Sequence, residues 1–233
     1  MCTARRRFLT LCLVAVTVWL VGARPVATAA DLTQDDLNAF LSAVQANNAE
    51  HVATALKSFP ELARLKARNG LTMLHLAVGK GSKPMVEALL AAGADPDAGG
   101  TRGSTALHIA AGGGLDEIVG VLMAHKANIE ARDDSGATVL HAAVRAGNPK
   151  VLAMLFQARV NVNAADVNGA TPMFAAVMAN RGAIVDLLIE NGADVNAKTK
   201  DGRTALDDAV KFNRAEIARA LREKGATAAA AGG

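Results

Sequence analysis

Three histidines occupy one local pattern, and histidine is the side chain best suited to bind a metal or move a proton near neutral pH. His75 lies in T-M-L-H-L-A, His108 in T-A-L-H-I-A and His141 in T-V-L-H-A-A. Residues of this kind beside glycines suggest zinc ligation or catalytic proton transfer. Gly112-Gly113-Gly114 suggests a phosphate loop, but no Lys-Ser/Thr follows to reach the phosphates and no strand pattern precedes it. Asp133-Asp134 lacks the spaced ligands of a calcium loop. His125 is read as a solvated base near a helix end, and His51 has no serine or acid arranged with it.

The elements that must position these residues decide among the chemistries. Thr72, Thr105, Thr138, Thr171 and Thr204 are successively 33 residues apart with no insertion. An active site is rarely written five times in one chain, whereas a fixed period of about 20–50 residues is the signature of a solenoid. Packed helical layers lie roughly 10 Å apart. A zinc–nitrogen bond is about 2 Å. One metal therefore cannot bridge histidines in successive layers, and no metal, cofactor or catalytic set is assigned.

Each repeat follows the same local physics. Asn69-Gly70, Arg102-Gly103, Ser135-Gly136, Asn168-Gly169 and Asp201-Gly202 mark tight turns with positive φ. The threonine that follows suits a helix N-cap, where its hydroxyl takes an orphan N–H. Pro172 falls in a first helical turn, where proline is tolerated. Apolar residues then recur at helical spacing, from Leu74, Ala77 and Val78 in the first repeat to Leu206, Ala209, Val210, Ile217, Ala218 and Leu221 in the fifth. Alanines let the layers approach, and Leu, Ile and Val fill them. Gly93, Gly192 and Gly225 suit left-handed C-caps. Lys126 and Arg159 stand where two of these glycines are expected, at a strain cost of about 1 kcal/mol each.

The five T-x-L-H-x-A-like stretches, the glycine turn, the Leu-Leu helix end and the G-A-D-x-N-A run resemble the ankyrin repeat over about residues 67–226. The resemblance implies an all-α solenoid of stacked helix-turn-helix units with short β-hairpin tips. It implies that Thr72, His75, Thr105, His108, Thr138, His141, Thr171 and Thr204 are structural anchors, each histidine ring bonding its threonine and the neighbouring tip. It also implies protein–protein binding on a concave face. On that face the non-anchor positions are Arg68, Leu71, Lys80, Arg102, Ser104, Asp134, Arg145, Val167, Met178, Arg203, Lys211 and Phe212. Ala137, Ala170 and Lys200 fall in the same lane. The lane is rich in bases around an apolar middle, so the expected partner is a protein with an acidic patch around an apolar one. Residues 31–66 read as a degenerate N-terminal capping repeat, and 227–233 as a disordered Ala-Gly tail.

Residues 1–30 read as a cleavable signal peptide, with Arg5 to Arg7, an apolar run from Phe8 to Gly22 and the small-residue site Ala27-Thr28-Ala29. Cleavage after Ala29 or Ala30 fits, and both the general secretory and twin-arginine routes remain open. The expected location is periplasmic or secreted, as a monomer without membrane insertion after cleavage. The four leader arginines account for the apparent basicity. Of 25 basic side chains, 21 remain without them, against 22 acidic ones, which leaves no electrostatic case for nucleic acid. Cys2 and Cys12 both fall in the leader, so a mature chain has no thiol chemistry. The expected function is an exported, non-catalytic bacterial interaction module. An immunity or inhibitor protein for an envelope enzyme, a secreted effector binding host proteins, and an oxidative-stress protective protein fit the same features.

Overall fold

The computed structural model describes residues 32–229. The signal-peptide assignment over 1–30 and the last four tail residues lie outside the described residues. Within them the chain forms helix pairs stacked in one direction. Helices α1 (Gln34–Gln45) and α2 (Ala49–Ser58) form the first pair, followed by a 3₁₀ turn at Pro60–Arg64. Then come α3 (Met73–Gly79) with α4 (Lys83–Ala91), α5 (Ala106–Gly112) with α6 (Asp116–Ala124), and α7 (Val139–Ala146) with α8 (Pro149–Gln157). The stack continues with α9 (Pro172–Met178) and α10 (Gly182–Glu190), then α11 (Ala205–Lys211) and α12 (Ala215–Glu223). The first helices of successive pairs pack on one another from α3 through α11.

The core is one continuous apolar column. Leu74, Leu107, Leu140, Met173 and Leu206 repeat down one side of it, and Leu89, Leu122, Leu155, Leu188 and Leu221 down the other. Ala77, Ala110, Ala143, Ala176 and Ala209 are fully buried, and their short side chains let first helices approach closely. Val210 departs from the expected core. Its register mates Val78, Ala111, Val144 and Val177 are fully buried, whereas Val210 is 54% exposed. Each mate lies under the next repeat, and the fifth repeat has no such cover among the described residues.

The expected β-hairpin tips do not form. No β-strand occurs among the described residues, only the isolated bridges Lys66–Thr72, Arg132–Thr138 and Lys198–Thr204. Each tip is a closed turn instead. In the first, Gly70 N–H donates to Ala67 O (2.9 Å) and Ala67 N–H to Leu71 O (2.7 Å), and the same two bonds recur in all five repeats. The cause is local. The residue after the turn is the threonine that caps the next helix, so the returning arm is consumed before a second bridge can form. The tips pair with one another rather than with themselves: Asp134 N–H donates to Arg102 O (2.9 Å), Val167 N–H to Ser135 O (2.9 Å) and Lys200 N–H to Asn168 O (2.8 Å). Gly136, at φ +72°, would place an added Cβ 3.0 Å from Val167 N, so this approach requires glycine as much as the turn does.

Candidate functional site

The histidines are tied into the scaffold at both ring nitrogens. Thr72 N–H donates to His75 Nδ1 (3.2 Å), and the Thr72 hydroxyl lies 2.7 Å from the same nitrogen. Because a backbone N–H can only donate, Nδ1 is the unprotonated nitrogen, and Nε2 donates to Ser104 O of the next repeat (2.9 Å). His108 reaches Ala137 O (3.2 Å) and His141 reaches Ala170 O (3.1 Å) in the same way. Burial pushes all three rings below the usual histidine value. A neutral, doubly bonded imidazole has no free lone pair for a metal or a substrate proton. Among the described residues no group of His, Cys, Asp or Glu is placed to hold a metal ion.

Thr204 shows a variation. Asp207 replaces the histidine, accepting from Thr204 N–H (2.7 Å) and from the N–H of Ala229 (3.1 Å). Burial acts to raise this carboxyl, but the Thr204 and Ala229 bonds outweigh it and hold it below its ordinary value. Thr171 precedes Phe174, and its side chain makes no cap bond. Thr227 N–H also donates to Asn196 Oδ1 (2.8 Å), so this part of the C-terminal segment is bonded to the fifth repeat.

The predicted lane is gathered only in part. Met178, Arg203, Phe212 and Arg145 line a recess of about 630 Å³ whose apolar walls include Ala170, Phe174, Ala175 and Ala179. Arg145 and Ser104 line a second recess of about 350 Å³, with His108, Asp133 and Ala142. The two share Arg145. Lys211 lies beside them, its Nζ 5.6 Å from the centre of the Phe212 ring. Arg68, Leu71, Lys80, Arg102, Asp134 and Val167 line neither recess. Lys80 is engaged in the scaffold, donating from Nζ to Gln45 O (2.8 Å). Arg102, at φ +58°, sits in a short 3₁₀ turn over Thr101–Gly103.

The arginines of the lane differ in electrostatic state. Arg203 pairs with Asp201 (2.7 Å) and with the buried Asp208, which hold its charge within the fold. Arg145 is exposed and makes no ion pair among the described residues. Met178 at 49% and Phe212 at 38% expose apolar surface next to it. The arrangement offers a trough, apolar at its Phe212 end, with one uncommitted cation at its centre, a surface for binding rather than reaction.

Sequence reasoning missed two parts of this site. Asp208 occupies the register of Leu76, Ile109, Ala142 and Ala175, and reading that column across the repeats exposes both the recess and the ion pair. The second omission is a row of acceptors at the opposite edge. Asp97, Glu130, Asn163 and Asn196 each accept the backbone N–H 31 residues on, as in Asn128 N–H to Asp97 Oδ1 (2.7 Å) and Asn161 N–H to Glu130 Oε1 (2.6 Å).

Family models for ankyrin repeats match the chain over residues 56–110, 92–166 and 158–230. Among solved structures, the chain is similar to the ankyrin repeat domain of Bcl-3, described as a unique member of the IkappaB protein family. That match covers 81% of this chain and 86% of the other, at 29% identity and a TM-score of 0.74. No curated protein sequence matches.

Proposed function

Because the chain belongs to the ankyrin repeat family, a family of non-catalytic protein-interaction scaffolds, we propose that it is exported and binds an envelope or extracellular protein through the face built by its tips and first helices. The observation that carries this reading is the exposed apolar surface of Met178 and Phe212 beside the unpaired Arg145. A partner with an acidic patch around an apolar one matches that surface in sign and polarity. The leader pattern in residues 1–30 supports export, and its arginine-rich start supports a bacterial source. No helix among the described residues is long and apolar enough to cross a membrane.

The test is cross-linking of the tagged full-length chain in intact source cells, followed by fractionation and mass spectrometry. The expected result is one stoichiometric protein partner in the periplasm or medium, lost when Arg102 and Arg145 are both changed to Glu. Retention of the partner by that variant overturns the binding face. Recovery of the uncleaved chain in the cytosol overturns export.

A further inference from the structure

The recess has a specific structural cause. At one inner-face register the repeats carry Leu76, Ile109, Ala142, Ala175 and Asp208 in turn. The large side chains of the first two repeats fill the space that the two alanines leave open. Three positions further on, the same repeats carry Gly79, Gly112, Arg145, Met178 and Lys211. The floor therefore drops where the rim rises. Both changes begin at the third repeat, and the recess of about 630 Å³ runs from Ser135 and Arg145 to Phe212.

The two recesses meet at Arg145, and together they extend from Ser104 to Phe212 across four repeats. At 8–10 Å per layer this is a trough of roughly 25–30 Å. An extended chain rises about 3.3 Å per residue, so about eight residues cover it. A trough of that length, apolar at one end, with Arg145 near its middle as the one uncommitted cation that lines it among the described residues and with Asp133 and Asp166 held by N–H groups of their own turns, fits a peptide strand. Arg203 does not add a second cation for a ligand, because Asp201 and Asp208 already hold it.

We infer that this trough takes an extended peptide segment of the partner protein. One bulky apolar side chain seats over Ala175 between Phe174, Met178 and Phe212, and a carboxylate of the same segment pairs with Arg145. The inference rests on the reading that this face binds protein. The arginine fork selects a carboxylate by paired hydrogen bonds, and the apolar seat selects by shape.

The experiment selects random twelve-residue peptides displayed on phage against the full chain, then measures the enriched sequences as fluorescein-labelled synthetic peptides by anisotropy. Enriched peptides should share one Leu, Ile, Met or Phe close to an Asp or Glu. Ala175→Leu installs the residue that the first repeat carries at the same register and fills the seat, so the Kd should rise at least tenfold. Met178→Ala removes an exposed wall without touching the core and should raise it at least threefold. Arg145→Gln should weaken binding and flatten its salt dependence, while Arg219→Gln, on α12, changes neither. No enrichment, enriched peptides lacking an acid, or affinities unchanged by both Ala175→Leu and Met178→Ala would overturn the inference. A cellular partner that Ala175→Leu and Met178→Ala still capture, but the Arg102 and Arg145 reversals do not, would leave the protein-binding reading standing and remove this one.

Discussion

A threonine N–H pointing at a ring nitrogen sets the protonation state of the histidine in the first three repeats. In His75, His108 and His141 the Nδ1 atom accepts from the backbone, and a proton there would face another donor. Burial lowers all three, so near the ordinary histidine value of about 6.5 the unfolded chain binds more protons than the folded one. Their stabilisation is complete above that value and is lost as pH falls through it toward the folded values. The lowered Asp207 carboxyl acts in a separate, more acidic window: its contribution is present above the ordinary carboxylate value and is lost as pH falls through the folded one. Urea midpoints should therefore drop between pH 7.5 and pH 5.5. His108→Asn keeps an acceptor for Thr105 but loses the bond to Ala137 O. It should cost about 1 kcal/mol at pH 7.5 and make the pH slope shallower. A midpoint that does not move over this range would contradict the assignment. The sequence made the anchors legible because Thr-x-x-His recurs. It shows Asp207 in the histidine's place but not its partner, because donor and acceptor exchange roles where the bonded group is the Ala229 N–H and not a carbonyl.

At the level of the helix pair, each repeat reverses direction through three shared left-handed registers, to which Arg102 adds a fourth left-handed residue in the second repeat. The shared registers are Gly70, Gly103, Gly136, Gly169 and Gly202 at the tips; Gly81, Gly114, Gly147, Asn180 and Asn213 between paired helices; and Gly93, Lys126, Arg159, Gly192 and Gly225 at the second helix ends. The two long side chains do take positive φ, +63° at Lys126 and +59° at Arg159. They coincide with a change in the preceding repeat. Asn163 and Asn196 donate to the carbonyls of Gly192 and Gly225, but Asp97 and Glu130, their register mates, have no proton to donate. Lys126→Gly should stabilise the fold by about 1 kcal/mol through relief of the left-handed strain. Adding Asp97→Asn should contribute up to about 1 kcal/mol more, because the new amide can donate to the carbonyl at 126 while still accepting from Asn128. Urea unfolding of the single and double variants checks both steps, and a destabilised Lys126→Gly would show that the lysine does more than tolerate its geometry. The missing strands belong to this scale too. Asn-Gly and Asp-Gly pairs announce a reversal, but only the distance to the next helix cap determines whether a ladder has room to grow.

The whole molecule is a column in which each layer contacts its two neighbours, and this is why its architecture was more legible than its site. Period, caps and apolar spacing repeat five times and reinforce one another. The trough arises from differences between repeats, at Ala142, Ala175 and Asp208, which a search for recurrence passes over. It gathers Arg145, Met178 and Phe212 and omits Arg68 and Lys80, because position along the stack matters as much as position within a repeat. The junctions themselves hold few polar bonds: between the third and fourth repeats run one tip bond, Val167 N–H to Ser135 O, one ring bond, His141 Nε2 to Ala170 O, one edge bond, Asn161 N–H to Glu130 Oε1, and two arginine bonds, Arg132 to Ala165 O and Arg181 to Arg145 O, beside the apolar contacts. Such a column behaves as a spring under tension. Pulled from its two ends, it should give way a layer at a time. Each 33-residue repeat should then release about 100 Å of chain, at roughly 3.5 Å per extended residue less the layer's own thickness. Optical-tweezer traces with evenly spaced rips of that length are the expected record, and a single rip of several hundred ångströms would show that the layers fail together.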